Sequence, residues 1–186
     1  MTDAQRDQRL PETRPLLELQ AIALSMPVWC TGPDARALDV ASLPTRDANR
    51  WSRPGEPTIY LAGDPGVALA ELGRHWEEQE GDIALWSADL SLAAAADLRD
   101  PRLRATLGLP SDPTWVLDPE RCRMVAGRLR SDGRHDGLIV PSVAFMDAGS
   151  RWNAVVFVEC HPADLEDVVR IRARDVHVTH GRTGPG

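Results

Sequence analysis

The sequence predicts a single α+β domain in which a mixed sheet is flanked by helices. Segments of strand type occur towards both ends of the chain, and segments of helix type are widely separated. This arrangement favours α+β over a regular alternation of strands and helices. The 186 residues allow a substantial core, and a composition of 42% apolar and 26% charged residues is typical of a soluble globular protein.

The predicted domain begins after a polar leader that contains proline. We expect residues 1–15 to be disordered, residues 16–180 to form the domain, and residues 181–186 to be a flexible tail. The first predicted elements are a short helix over residues 16–25 and a strand over residues 26–30.

A long loop, rich in glycine and proline, is predicted for residues 31–56, and loops of this length are often functional. A strand over residues 57–62 follows the loop. A helix then begins at Asp64 and Pro65, because aspartate is favoured at the N-cap and proline at the first helical position. The apolar spacing extends this helix to about Glu78.

The same aspartate–proline signal occurs again in the second half of the chain. Asp100 and Pro101 begin a short helix, and Asp118 and Pro119 begin a longer one that ends near Gly133. Apolar and alternating runs predict the remaining strands. These strands cover residues 82–90, 137–142, 153–159 and 168–180.

The net charge is −7, from 28 acidic and 21 basic residues. This balance argues against nucleic acid as a direct partner and against a polybasic membrane anchor. Every basic residue is an arginine, because the sequence contains no lysine. Chemistry that needs a phosphate-loop or Schiff-base lysine is therefore excluded, and an anionic ligand would have to be held by a local cluster of arginines.

The three cysteines are far apart, and no group of residues has the spacing of a metal site, so we predict neither disulfides nor a bound metal. No apolar run approaches the roughly 20 residues that a membrane helix needs. The first residues are polar and mixed in charge, unlike the apolar core of a signal peptide. We therefore expect a cytoplasmic protein with no membrane partner.

A first group of candidate functional residues lies around the end of the long loop. Arg50 follows Asn49 and is itself followed by Trp51 and Arg53, and Tyr60 lies on the next predicted strand. Arginine binds phosphate or carboxylate through two parallel hydrogen bonds. This segment therefore predicts a site for an anionic ligand.

A second candidate is Glu71, which lies inside the helix that follows the strand. Glu71 and His75 are four residues apart, so they share one helix face beside the apolar Leu72. A carboxylate with no partner would be expected on the solvent-exposed face of a helix, so the position of Glu71 at the edge of the buried face indicates a functional or structural partner. The alternative is that Glu71 and Arg50 form one structural ion pair.

Ser142 and Asn153 are candidates further along the chain. Ser142 ends an apolar strand, and Asn153 precedes another. The surroundings of Ser142 lack the G-x-S-x-G pattern of a nucleophile elbow, so we do not expect a nucleophilic serine. Taken alone, this segment favours an ordinary turn position for Ser142, and Asn153 is likewise consistent with a simple turn residue.

Taken in order, these segments resemble the RES domain family, which is named for an arginine, a glutamate and a serine. The resemblance extends from about Pro27 to Glu159. No single motif is specific, but four motifs occur in the family's order and spacing. The matching residues are Arg50-Trp51, the G-x-P-x-x-Y-x-A strand from Gly55 to Ala62, the A-x-x-E helix from Ala68 to Glu71 with His75 after it, the strand from Asp136 to Ser142, and Asn153.

The chain departs from the family's pattern at one position. RES proteins usually carry a further arginine on the first strand, just after an aromatic residue, where this sequence has Cys30 after Trp29. One phosphate-binding cation would then be missing. Arg53 or Arg36, from the long loop, could replace it.

The resemblance implies a fold similar to ADP-ribosyltransferases and an activity on NAD, with NAD as substrate and no further cofactor. RES proteins are typically toxins that degrade NAD by phosphorolysis or hydrolysis, so phosphate is an expected second ligand. Their usual partner is an Xre-type helix-turn-helix antitoxin that covers the active site.

The resemblance also implies roles for particular residues. Glu71 would stabilise positive charge on the ribose, Arg50 would hold the pyrophosphate, Tyr60 would stack on nicotinamide or ribose, and Ser142 would fix a nearby oxygen. The catalytic set is therefore expected to be Glu71, Arg50, Tyr60 and Ser142. The residues expected to bind NAD are Arg50, Trp51, Arg53, Tyr60, His75, Ser142 and Asn153.

Three alternatives remain open from the sequence. The domain could transfer ADP-ribose to a protein, or it could bind without catalysis, an alternative that the absence of the strand arginine supports. It could also be an unrelated α+β domain in which Arg50 and Glu71 merely pair.

Overall fold

The computed structural model describes residues 20–32, 48–74, 83–146, 150–161 and 165–178. Within these ranges the chain forms a mixed sheet with flanking helices, which confirms the predicted fold class. The strands are β1 (Ile22–Gly32), β2 (Thr58–Ala62), β3 (Ile83–Asp97), β4 (Gly137–Pro141), β5 (Trp152–Phe157) and β6 (Val169–Val178). The α-helices are α1 (Pro65–Arg74), α2 (Pro101–Thr106), α3 (Pro119–Asp132) and α4 (Leu165–Val168).

Some predictions lie outside the described residues. They are the leader at 1–15, the tail at 181–186, most of the loop before residue 48, and the end of the α1 helix at 75–78. Among the residues that are described, no helix is long and apolar enough to cross a membrane.

The sheet has the strand order β1-β2-β5-β4-β3-β6. Only β3 and β4 pair in parallel among the described strands, and all other pairs are antiparallel. Because β1 pairs with β3 as well as with β2, the first five strands of this order form a closed circuit, and β6 is added at the side of β3. This closure brings segments that are distant in sequence around one concave region.

The predicted helix over residues 16–25 is wrong in its described part, because Ile22–Gly32 is strand β1. Exposure alternates along the first half of β1 with a period of two, as a half-buried strand requires. The strand pairs with β3 from Ile22↔Ala95 to Gly32↔Ala84. This long ladder supplies backbone hydrogen bonds that outweigh a weak local preference for helix.

The aspartate–proline signals are confirmed. Asp100 caps α2 by accepting from the Arg102 backbone N–H at 2.8 Å, and Asp118 caps α3 by accepting from two backbone N–H groups. Gly133 ends α3 in the left-handed conformation, with φ of 68°. A fourth pair, Asp112 and Pro113, starts a 3₁₀ turn over Pro113–Leu117 that the sequence reasoning missed.

The core lies on both faces of the sheet. Along β5, the side chains of Val155 and Phe157 join the cluster under α3, whereas Ala154 and Val156 join the cluster on the opposite face. Helix α3 closes the first cluster with four buried residues. These residues are Cys122, Val125, Ala126 and Leu129.

Three adjacent strands and α1 position the candidate site. Asn153 on β5 is opposite Ala62 on β2 and opposite Val140 on β4. The chain leaves β2 through Gly63 and enters α1, which packs over this part of the sheet. A Cβ atom at Gly63 would lie 2.3 Å from the Trp152 indole, so only glycine fits at this crossing.

Candidate active site

The described residues enclose a cavity of about 540 Å³ at the centre of this region. Its size is in the range of pockets that bind small molecules and cofactors. Three of its lining side chains carry a formal charge, namely Arg50, Arg123 and Glu71. The other lining residues are Trp29, Cys30, Thr31, Ala48, Asn49, Trp51, Tyr60, Leu61, Ala62, Ala68, Pro119, Val140, Pro141, Val143 and Asn153.

Glu71 is held in one orientation by hydrogen bonds to its Oε1 atom. The Ser142 hydroxyl donates at 2.9 Å, and the Asn153 amide donates at 3.1 Å. The Ala144 backbone N–H adds a longer contact at 3.4 Å. The Oε2 atom lies 4.0 Å from the Arg74 guanidinium. The carboxylate is therefore fixed by groups from β5 and from the end of β4.

Ser142 lies behind this carboxylate and is fully buried. Its single hydroxyl proton is donated to Glu71, and its oxygen accepts from the Ala144 backbone N–H at 3.2 Å. Ser142 is not among the described lining residues of the cavity. The geometry thus makes Ser142 a residue that orients Glu71.

Tyr60 stands on β2 with 37% of its side chain exposed, and its ring lines the cavity. Its hydroxyl accepts from the Trp51 backbone N–H at 3.2 Å. Burial of the hydroxyl raises the pKa of Tyr60, although hydrogen bonds to Ser52 and Trp51 oppose this change. The phenol is therefore neutral at pH 7 and joins β2 to the loop that carries Arg50.

Arg50 is half-buried, and its Nη1 atom donates to the Val116 carbonyl at 2.5 Å. In the described part of the chain Arg50 and Glu71 form no ion pair, so the structure does not support the alternative that they merely neutralise each other. Both side chains line the same cavity.

The other predicted binding residues are spread more widely. Trp51 is 3% exposed and packs edge-on against Trp115 at 5.9 Å, so it forms the cavity wall from within the core. Arg53 is exposed and borders a separate depression beside Arg130, away from the cavity. His75 lies outside the described residues.

Cys30, which the sequence analysis compared with the strand arginine of RES proteins, lines the cavity. It is 7% exposed, and burial raises the pKa of its thiol to about 11. Cys30 is thus a neutral, apolar wall residue at pH 7. Of the two suggested replacements for the missing cation, Arg53 lies outside the cavity lining and Arg36 lies outside the described residues.

Arg123 on α3 is the residue of this site that the sequence reasoning missed. Its guanidinium donates to the Asn49 carbonyl at 2.9 Å and to Glu120 at 2.6 Å. A signal was present, because Arg123 directly follows the buried Cys122 at the edge of the apolar stripe of α3. Glu71 on α1 was selected because it is a charged residue at the edge of a buried helix face, and Arg123 meets the same criterion on α3.

The cavity combines one fixed carboxylate with two guanidinium groups. The guanidinium groups can bind an anionic part of a ligand, and the carboxylate can stabilise positive charge at another part. Fold and cavity together define a class of α+β domains that are suited to a ligand with an anionic part and a positively charged part. The RES domain family matches residues 10–179, so the chain belongs to that family.

Two relatives are similar to this chain. The probable NAD(+) phosphorylase Rv3189 of Mycobacterium tuberculosis (strain ATCC 25618 / H37Rv) is 28% identical over 121 residues. That match covers 62% of this chain and 58% of the relative, which is less than two thirds of the relative's length. A chain in the crystal structure of the M. tuberculosis MbcT–MbcA toxin–antitoxin complex has the same fold, with a TM-score of 0.63, 21% identity and coverage of 86% of each chain.

Proposed function

We propose that this protein degrades NAD by cleaving the bond between nicotinamide and ribose and by transferring ADP-ribose to phosphate or water. The observation that carries the proposal is the Glu71 carboxylate, which is fixed by Ser142 and Asn153 at a cavity that also contains guanidinium groups. Membership of the RES family and similarity to a probable NAD(+) phosphorylase support the choice of substrate.

The residue types fit the chemistry of this cleavage. When the carbon–nitrogen bond breaks, its electron pair goes to the nicotinamide nitrogen, which leaves as a neutral ring. The ribose carbon then carries positive charge, as in glycosidases. Glu71 stabilises this charge, and phosphate or water forms the new bond to the carbon. The leaving group needs no proton, which suits a cavity where Glu71 is the only carboxylate among the described lining residues.

Ser142 and Asn153 act by holding Glu71 before the substrate binds. A carboxylate that accepts two side-chain hydrogen bonds does not have to reorient during the reaction. Preorganised charge of this kind is usually the largest contribution to catalysis. The two residues therefore have positioning roles in this proposal.

Arg50 from the loop and Tyr60 from β2 bind the substrate in the same cavity. The Arg50 guanidinium is suited to the diphosphate of NAD, because it offers parallel N–H donors. The exposed ring of Tyr60 offers a flat apolar surface on which nicotinamide can stack. Its hydroxyl oxygen accepts from the Trp51 backbone N–H, and this bond holds the ring against the loop that carries Arg50.

We also propose that the protein is the toxin of a toxin–antitoxin pair and that an Xre-type antitoxin covers the cavity. The similarity to a toxin–antitoxin structure supports this partner. With a net charge of −7, the chain would contact the antitoxin through a few specific groups rather than through broad charge attraction. Association should then depend little on salt, and a steep salt dependence would contradict this expectation.

The test is NAD consumption by the purified protein, with and without phosphate, beside the variant Glu71→Gln. We expect the variant to lose at least about 100-fold in kcat, because removal of one preorganised charge-stabilising group typically has an effect of this size. Glu166→Gln, an exposed glutamate on α4, is the matched control and should behave as the parent.

The products identify the acceptor. ADP-ribose 1″-phosphate indicates phosphorolysis, free ADP-ribose indicates hydrolysis, and ADP-ribose attached to a polypeptide indicates a protein acceptor. Absence of NAD loss in a folded parent protein, or full activity in Glu71→Gln, would contradict the proposed function.

A further inference from the structure

We propose that Arg123 is a second diphosphate-binding residue, which acts beside Arg50 in the same cavity. The identity of the ligand rests on the proposed function, whereas the anion-binding role rests on the position of the side chain. Arg123 lines the cavity from α3, and its side chain is not on the family motif that identified Arg50.

The burial of Arg123 differs from that of an ordinary surface arginine. Its side chain is only 16% exposed, although its ion-pair partner Glu120 is 84% exposed. A solvated glutamate contributes little to holding an arginine in place. A guanidinium has five N–H donors, and within the described residues the bonds to Asn49 and Glu120 use two of them. Because Arg123 also lines the cavity, a ligand there can accept from the others.

Arg50 and Arg123 each hold the backbone that carries the other. Arg123 donates to the carbonyl of Asn49, which directly precedes Arg50. Arg50 in turn donates to the carbonyl of Val116, in the turn that leads into α3. These reciprocal bonds join the segment that carries Arg50 to the segment that leads into α3, and both arginines line the cavity. Like charges held together are unfavourable unless an anion binds near them.

A diphosphate matches this arrangement better than a single phosphate. It has two linked anionic groups, and each can accept hydrogen bonds from one guanidinium. The one acidic side chain among the described lining residues is Glu71, which suits the cationic end of the same ligand. The charges therefore orient the dinucleotide, with its diphosphate towards α3 and its nicotinamide towards α1.

The alternative is that Arg123 only ties the loop in place and affects the ligand through Arg50. A double-mutant cycle separates the two roles. If both residues contact the diphosphate, Arg123→Gln combined with Arg50→Gln should weaken NAD binding more than Arg50→Gln alone does. If Arg123 merely positions Arg50, the double variant should equal the Arg50→Gln variant, and this result would overturn the proposal.

Substrate truncation supplies the second readout. Arg123→Gln should raise the KM for NAD roughly 10- to 150-fold, the effect of losing a hydrogen bond to a charged group, with kcat little changed. Nicotinamide riboside has the same scissile bond and no phosphate, so its kcat/KM should not change. Equal losses on both substrates, or no loss on NAD, would overturn the proposal.

Arg123→Lys and Arg121→Gln complete the set of variants. Lysine keeps the charge but loses the paired donors, so Arg123→Lys should recover part of the NAD affinity. Arg121 lies on the same helix, pairs with Asp118 and is outside the cavity lining. Arg121→Gln should therefore bind NAD as the parent does. If Arg121→Gln loses as much NAD affinity as Arg123→Gln, the effect comes from the net charge of the helix, and the proposal for Arg123 is wrong.

Calorimetric titration with ADP-ribose distinguishes failure of this proposal from failure of the proposed function. ADP-ribose retains the diphosphate and needs no turnover. A parent protein that binds ADP-ribose in an Arg123-dependent manner but consumes no NAD would contradict the enzyme activity and support the anion site. A parent that binds neither ADP-ribose nor NAD, or binding that Arg123→Gln leaves unchanged, would overturn the role of Arg123.

Discussion

Replacing Ser142 by alanine tests whether this serine acts by orienting Glu71. The change removes one of the two side-chain donors to Oε1 of Glu71 and leaves Asn153 as the other. A hydrogen bond to a charged group contributes about 1.5–3 kcal/mol, which corresponds to roughly 10- to 150-fold in rate if the bond is needed in the transition state. We therefore expect kcat for NAD cleavage to fall by this factor with little change in KM.

The same substitution should leave the fold intact. Ser142 also accepts from the Ala144 backbone N–H, a cap-like bond whose loss typically destabilises by about 1 kcal/mol. In a chain of this length that lowers the Tm by roughly 2–4 °C. Thermal unfolding checks this value, and Ser91→Ala, an exposed serine on β3, is the matched control for both assays.

The combined variant would refute the reasoning most directly. If Ser142 works only through Glu71, adding Ser142→Ala to Glu71→Gln should not reduce the activity further. A further loss in the double variant would mean that the serine hydroxyl contacts the substrate itself. Parental kcat in the single variant would equally contradict an orienting role.

Three further predictions concern packing and titration. Gly63→Ala should lower the free energy of unfolding by about 1–3 kcal/mol through its clash with Trp152, whereas Gly73→Ala, in open space on α1, should be neutral or stabilising in the same denaturant titration. Burial lowers the pKa of His135 in the folded protein below its ordinary value. As the pH falls below about 6.5, the unfolded chain therefore binds a proton at this histidine more readily than the folded chain does, and the free energy of unfolding should decrease. Urea titrations between pH 5 and 8 should show that the free energy of unfolding depends less on pH in His135→Gln than in the parent. An unchanged pH dependence would mean that His135 is not the group responsible. Iodoacetamide at pH 8 should not label Cys30 until the protein unfolds, because burial raises the pKa of its thiol to about 11; rapid labelling of the native protein would contradict this.

The helix starts could be predicted from sequence because their cause is local. An aspartate side chain reaches the backbone N–H groups two or three residues later, and the following proline needs no hydrogen bond. Asp100 and Asp118 act in this way in the structure. Strand β1 could not be predicted so directly, since its ladder partner β3 is more than fifty residues away. The sequence analysis therefore interpreted residues 16–25 as a short helix and recognised only residues 26–30 of this strand.

The candidate site was predictable as a set of residues but not as a geometry. The sequence selected Glu71, Ser142 and Asn153 separately, and each was also consistent with an ordinary turn or an ion pair. Their convergence depends on the register of β5 between β2 and β4, which no local pattern contains. The structure places Ser142 behind the carboxylate, where its hydroxyl donates to Glu71, whereas the sequence analysis expected it to fix a nearby oxygen.

The charges on α1 and α3 show how such a site can be recognised from one helix at a time. Glu71 lies beside the buried Ala68 and Leu72, and Arg123 lies beside the buried Cys122. A charge at the edge of a buried stripe is unfavourable unless a partner or a ligand compensates it. The charged partner of Glu71 is the exposed Arg74 at 4.0 Å, and that of Arg123 is the exposed Glu120, so the charged partner of each is screened by solvent. Opposite charges that two helices direct to one cavity are then better explained by a ligand with both a cationic and an anionic part than by the stability of the fold.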